Sequence, residues 1–136
     1  MMRIREENGA ALVEFALILP VLLLILLGII EFGIILYDKA IITNASREMA
    51  REGIVFTTDA NDARDTRVKQ KIFDSYGSLP ITFGSDTLTL SDLTIDRSDP
   101  DYVRATVNFS YDFLYLPMPV INLSTSTIMR REVPGV

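Results

Sequence analysis

The chain has 136 residues, a formal net charge of -5 and an apolar fraction of 49%; this length holds one spanning helix and one compact domain of roughly 80 to 100 residues, not two large domains. The acidic balance argues against nucleic acid as a partner. Cysteine and histidine are both absent, which excludes disulfides and thiol nucleophiles and removes the commonest general base and metal ligand, so the expectation is no enzyme, no metal, no cofactor and no small-molecule substrate.

Residues 1–9, Met-Met-Arg-Ile-Arg-Glu-Glu-Asn-Gly, read as a short polar leader. From Ala10 to Leu36 the chain is apolar except for Glu14, Pro20, Glu31 and a few small residues. A helix over 10–37 would be ~42 Å long, enough to cross a ~30 Å hydrocarbon core with both ends in the interfaces. A cleaved secretory signal has a shorter apolar stretch of about 7 to 15 residues, and a buried core helix needs more protein around it than the rest of the chain supplies. Arg3 and Arg5, partly offset by Glu6 and Glu7, place the N-terminus in the cytoplasm. The expected protein is therefore a single-pass cytoplasmic (inner) membrane protein with its C-terminal domain outside.

Residues 38–53 continue as an amphipathic extension of the helix, with Ile41, Ile42, Ala45, Met49 and Ala50 on one side and Lys39, Asn44, Arg47, Glu48 and Arg51 on another. Gly53 is a stop signal, Ile54 to Thr58 is β-prone, and Thr58 to Asp62 reads as a polar loop. Asp62 is placed to cap a second helix through Tyr76, closed by Gly77, whose face Val68, Ile72, Phe73 and Tyr76 should pack on a sheet. The strongest strand signal is Val103 to Phe113, where odd positions are apolar or aromatic and even ones polar. Thr87 to Asp96 is a weaker strand with a break near Ser91-Asp92, Leu116-Pro117-Met118-Pro119 interrupts pairing, and Asn122 to Glu132 is a final strand. The predicted fold is α+β: the long transmembrane helix, then an extracytoplasmic domain over 54–136 in which a second helix packs on a three- to four-stranded antiparallel sheet.

Glu14 demands explanation, because a carboxylate in an apolar span costs a few kcal/mol unless it is paired, neutralised or snorkels to the headgroups. It is the fifth residue if the chain is cut after Gly9. A small residue before a scissile bond, a short polar leader and a long apolar helix with Glu at position five resemble the processing signature of type IV pilin precursors. The resemblance implies that cutting exposes Ala10 as a new amino terminus, whose charge in a filament lies beside Glu14 of a neighbouring subunit. Pro20 removes one helix hydrogen bond, which serves either extraction and repacking of the helix or nothing beyond tolerance in a membrane helix. Glu31 is expected to snorkel to the outer interface.

The strings Gly9-Ala10-Ala11-Leu12-Val13-Glu14-Phe15-Ala16-Leu17-Ile18-Leu19-Pro20, Gly28-Ile29-Ile30-Glu31-Phe32-Gly33 and Ala45-Ser46-Arg47-Glu48-Met49-Ala50-Arg51-Glu52-Gly53 resemble the TadE-like family, minor pseudopilins of the tight-adherence (Tad, or Flp) pilus. The resemblance implies processing by a prepilin peptidase between Gly9 and Ala10. It also implies assembly through Glu14 and Pro20 with other pilins or pseudopilins, a secretion ATPase and the Tad secretion platform, a system concerned with cell adhesion. The alternatives are a membrane-tethered binding module that never enters a filament and an envelope enzyme, which would need carboxylates such as Asp96 and Asp101 to converge. Asp96, Asp99 and Asp101 around Pro100 otherwise read as turn chemistry.

Overall fold

The structure, a computed structural model, describes residues 3–55, 61–82 and 87–131. The N-terminal helix α1 runs from Arg3 to Ile54, 52 residues, a length of ~78 Å. Ala, Leu, Ile, Glu and Arg dominate it, and Pro20 lies inside it without ending it. It stops one residue after Gly53, as that glycine predicts. The β-prone residues Phe56 to Thr58 and the loop Asp59-Ala60 fall outside the described residues.

Helix α2 spans Asn61–Tyr76, with Asp62 in its first turn rather than preceding it. Its C-terminus is closed as expected: the Gly77 amide donates to the Phe73 carbonyl at 2.7 Å, and a Cβ at position 77 would meet that carbonyl at 2.6 Å. A single 3-10 turn at Leu90–Asp92 forms the anticipated break. It precedes strand β1, Leu93–Asp96, followed by β2, Tyr102–Tyr111, and β3, Ile121–Arg130. Among the described residues these form one antiparallel sheet in the order β1-β2-β3, with Leu93 opposite Val107 and Val107 opposite Thr125. Glu132, the expected end of the last strand, lies outside the described residues.

The period-two pattern of β2 decides which way the sheet faces. Val103, Ala105, Val107, Phe109 and Tyr111 are all buried, and a register slip of one residue would turn every one of them to solvent. The outer face is a polar ladder, in which Ser124 Oγ donates to Asn108 Oδ1 at 2.7 Å and Ser110 Oγ to Asn122 Oδ1 at 3.1 Å.

The element covering the buried face differs from the sequence expectation. The C-terminal half of α1 lies across β2 and β3, while α2 packs chiefly on α1 and reaches the sheet mainly at β1. The physical reason lies in the small residues of α1. Ala45 and Ser46 are fully buried and let the helix approach until Ser46 Oγ is 3.1 Å from the Ala105 carbonyl and 2.7 Å from Thr127 Oγ1. Ile42, Met49, Val68, Ile72, Leu88 and Leu93 complete the core.

One ion pair joins the three layers at the end of the domain where α1 stops. Arg97, just past β1, sets Nε 3.0 Å from both Asp65 oxygens and Nη2 2.7 Å from Oδ1, and donates from Nη2 to the Gly53 carbonyl at 2.9 Å. Its side chain is 9% exposed and that of Asp65 17%. A lysine cannot reproduce this fork. Arg97→Lys should therefore cost about 1 to 2 kcal/mol, read as a lower urea midpoint in detergent; an unchanged midpoint would mean the pair is merely superficial.

Candidate assembly helix and the Glu31 clamp

The residues singled out for processing and assembly all lie on α1. Gly9, Ala10, Glu14 and Pro20 are each exposed, and nothing lies within 4 Å of where a Cβ on Gly9 would be. Glu14 sits one turn above Ala10 on the same side of the helix, ~6 Å along the axis. The structure brings these four together only as neighbours on one helix; the domain does not reach them. Leu12, Phe15, Leu17, Ile18, Val21, Leu22, Leu24 and Ile29 are similarly exposed, and Gly28 and Gly33 face open space.

On the face that carries Glu31 that exposure ends, and here the structure corrects the sequence reading. Glu31 does not snorkel; it is 1% exposed. Its Oε1 accepts from the Tyr111 hydroxyl at 2.7 Å and the Leu114 amide at 2.8 Å, and its Oε2 accepts from the Tyr115 amide at 3.1 Å. Three donors satisfy a carboxylate whose burial would otherwise be prohibitive. The donors are available because β2 ends at Tyr111 and the chain turns over the helix, leaving the amides of 114 and 115 without a strand partner. Phe113 sets its ring edge-on to Tyr111, centroids 5.6 Å apart, and closes the side of the site. Burial first, and then the bond to Glu31, push the Tyr111 hydroxyl well above the usual tyrosine range.

Two turns further along, Asp38 is also fully buried. Its Oδ1 accepts from the Ile81 amide at 2.8 Å, while Oδ2 has no hydrogen-bond partner among the described residues. Burial raises its pKa, and the Ile81 bond offsets this only in part.

Glu31, Ile35, Asp38, Ile42, Ala45 and Met49 follow one another at alternating four- and three-residue steps, so they share one face of α1. All are buried except the half-buried Ile35. Sequence reasoning found the upper half of this stripe from its amphipathic contrast. It missed the lower half because residues 32–37 are apolar or small on every side of the helix, leaving little contrast between Glu31 and Asp38. Extending the seven-residue step backwards from Ala45 through Asp38 to Glu31 was the available signal.

The acidic groups of the turn between β1 and β2 stay local. Asp96 Oδ1 accepts from the Ser98 amide at 2.9 Å and Asp99 Oδ1 from the Asp101 amide at 2.8 Å; the first bond is the main reason the Asp96 pKa is lowered. Asp96 and Asp99 line a shallow cleft of about 370 Å³ with Arg104, but Asp101 lies outside it, so the Asp96–Asp101 pair that an enzyme reading requires does not converge there. Among the described residues no three acidic side chains gather as a metal site. Of the mixed charges near the end of α1, Glu52 reaches α2, 2.6 Å from Lys71 Nζ.

These features define an α+β protein carried on one apolar N-terminal helix. Among the described residues it is the one helix long and apolar enough to cross a membrane, and its most apolar window is wholly unburied, as a span is and a core helix is not. Residues 9–51 match the family model described as TadE-like protein, the family that the sequence resembles. The match covers α1 from Gly9 to Arg51, including Glu14, Glu31 and Asp38. No curated protein and no solved structure matches the chain.

Tyr111→Phe should cost about 1.5 to 3 kcal/mol, as for a hydrogen bond to a charged group. In combination with Glu31→Gln the losses should be less than additive in a double-mutant cycle; full additivity would show the two groups to be uncoupled. For Asp38 the folded state holds the proton more tightly than the unfolded chain. Its contribution is therefore complete below the ordinary aspartate value of 3.8 and is lost as pH rises from there through the raised folded value. Asp38→Asn should raise Tm at pH 7 relative to the wild type and lose that advantage at pH 3.5; the same shift at both pH values would contradict the burial cost.

Proposed function

We propose that this chain is a minor pilin or pseudopilin of a Tad-type pilus, acting by helix-mediated assembly rather than catalysis. The observation that carries the proposal is the state of α1 below Glu31: a long apolar surface with Glu14 facing outward and the domain held clear of it. In this reading the N-terminus is cytoplasmic and the domain extracytoplasmic. The membrane is crossed within 10–37, with the hydrocarbon boundary on the outer side near Glu31. Ala10 to Glu31 spans ~32 Å of helix, close to the ~30 Å of a bilayer core. A prepilin peptidase cuts between Gly9 and Ala10, and the new amine pairs with Glu14 of a neighbouring pilin, so that two charges costly in lipid offset each other only when subunits assemble. Pro20, which withholds an amide from the Ala16 carbonyl, provides a place where the helix adjusts on leaving the membrane. The Tad secretion platform and the other pilins are the partners.

Intact mass of the protein extracted from native membranes tests the processing step: a mature chain beginning at Ala10 is expected, and an uncleaved chain in cells with active prepilin peptidase would overturn it. Glu14→Ala should leave membrane insertion unchanged and reduce assembly with other pilins in co-purification, whereas normal recovery of the partners would sink the pairing.

A further inference from the structure

The connection between β2 and β3 is held at the level of Glu31 by the bonds from the Leu114 and Tyr115 amides. It carries an unusual surface. Leu114, Tyr115, Met118, Val120 and Ile121 are all exposed, Met118 by 54%, and no charged residue occurs from Leu114 to Ile121. The turn between β1 and β2, at the opposite end of the sheet, has the opposite character, with Arg97, Asp99 and Asp101.

The backbone of this connection is also prepared for a poorly hydrated setting. The amides of Leu114 and Tyr115 are bonded to Glu31, the Met118 amide donates to the Leu116 carbonyl at 2.8 Å, and Pro117 and Pro119 have no amide hydrogen. Exposed apolar side chains over a backbone whose donors are largely occupied, the Leu116 and Val120 amides excepted, are what a lipid interface tolerates and water does not favour. Tyr115 has the amphipathic ring that settles at headgroup level.

We propose that the Leu114–Ile121 connection seats in the headgroup–acyl boundary of the outer leaflet, as a second membrane contact beside α1. The occupant of this patch is lipid because the patch is continuous with the exposed apolar surface of α1 and fixed at its outer end. Seating both sides of the Glu31 clamp in the same interface holds the domain upright on the bilayer, with the polar β1–β2 turn farthest from it. The proposal rests on α1 spanning the bilayer with its boundary near Glu31, and is independent of any role in a filament.

The chain has no tryptophan, so single-tryptophan variants of the full protein report position directly. Met118→Trp, Ser98→Trp and Leu22→Trp are reconstituted at high lipid dilution in phosphatidylcholine vesicles with brominated acyl chains. The expected result is blue-shifted emission and loss of intensity for Met118→Trp, stronger with bromines near the headgroup than near the chain ends. Leu22→Trp should be quenched most by deep bromines, and Ser98→Trp should not be quenched. Quenching of Leu22→Trp with Met118→Trp behaving like Ser98→Trp would overturn the lipid contact while leaving the span intact. An unquenched Leu22→Trp would overturn the span itself. A blue shift at Met118→Trp that is insensitive to bromine and vanishes on dilution would show the occupant to be a second copy of the chain, and would equally overturn the proposal.

Discussion

A carboxylate that would be expensive to bury fixes where this molecule changes character. Glu31 accepts from Tyr111, Leu114 and Tyr115, and those bonds tie the end of β2 to a definite level of α1. Below that level the helix is bare; above it, one face is covered. The matching lengths follow from the same anchor. From Glu31 to Gly53 the helix rises ~33 Å, and the ten residues of β2 cover ~30 Å. The strand therefore runs antiparallel to the helix from one end of the domain to the other, with Arg97 closing the far end on Gly53 and Asp65. Between these two ties the helix–sheet interface is held by side-chain packing and by the Ser46 bonds to Ala105 and Thr127.

The division of labour along α1 parallels the extent of the TadE-like match. The TadE-like match extends over 9–51, so it follows the helix through both its bare and its covered segments and stops before the sheet. What the matched region supplies is an apolar rod with an acid near one end, and the stripe from Glu31 to Met49 against which a domain folds. A domain clamped above the boundary leaves the lower helix available to other helices, which is the physical basis for reading the chain as an assembling subunit.

Most of the architecture was legible in the sequence, and the reasons are specific. The alternation from Val103 to Phe113 announced β2 and its buried face; Gly53 and Gly77 announced helix ends; Leu116 to Pro119 announced the gap between strands. What was not legible was which helix covers the sheet, because α2 has an apolar face of its own and nothing in its spacing says that Ala45 and Ser46 give α1 the closer approach. Glu31 and Asp38 were hidden for a different reason. Hydropathy registers an acid in an apolar run as an interruption, and only the folded chain shows that donors eighty residues away converge on it.

The claim on which the rest depends is that the apolar segment divides at Glu31 into a lipid-buried part and a domain-bearing part. The absence of native cysteine makes a single-cysteine scan of α1 clean, with a membrane-impermeant maleimide applied to the outer side of intact cells. A boundary at Glu31 requires Leu22 and Ile25 to stay protected and Leu36, Tyr37 and Ala40 to label. Protection persisting through Tyr37, with labelling beginning only at Ala40, would place the clamp inside the bilayer and contradict it.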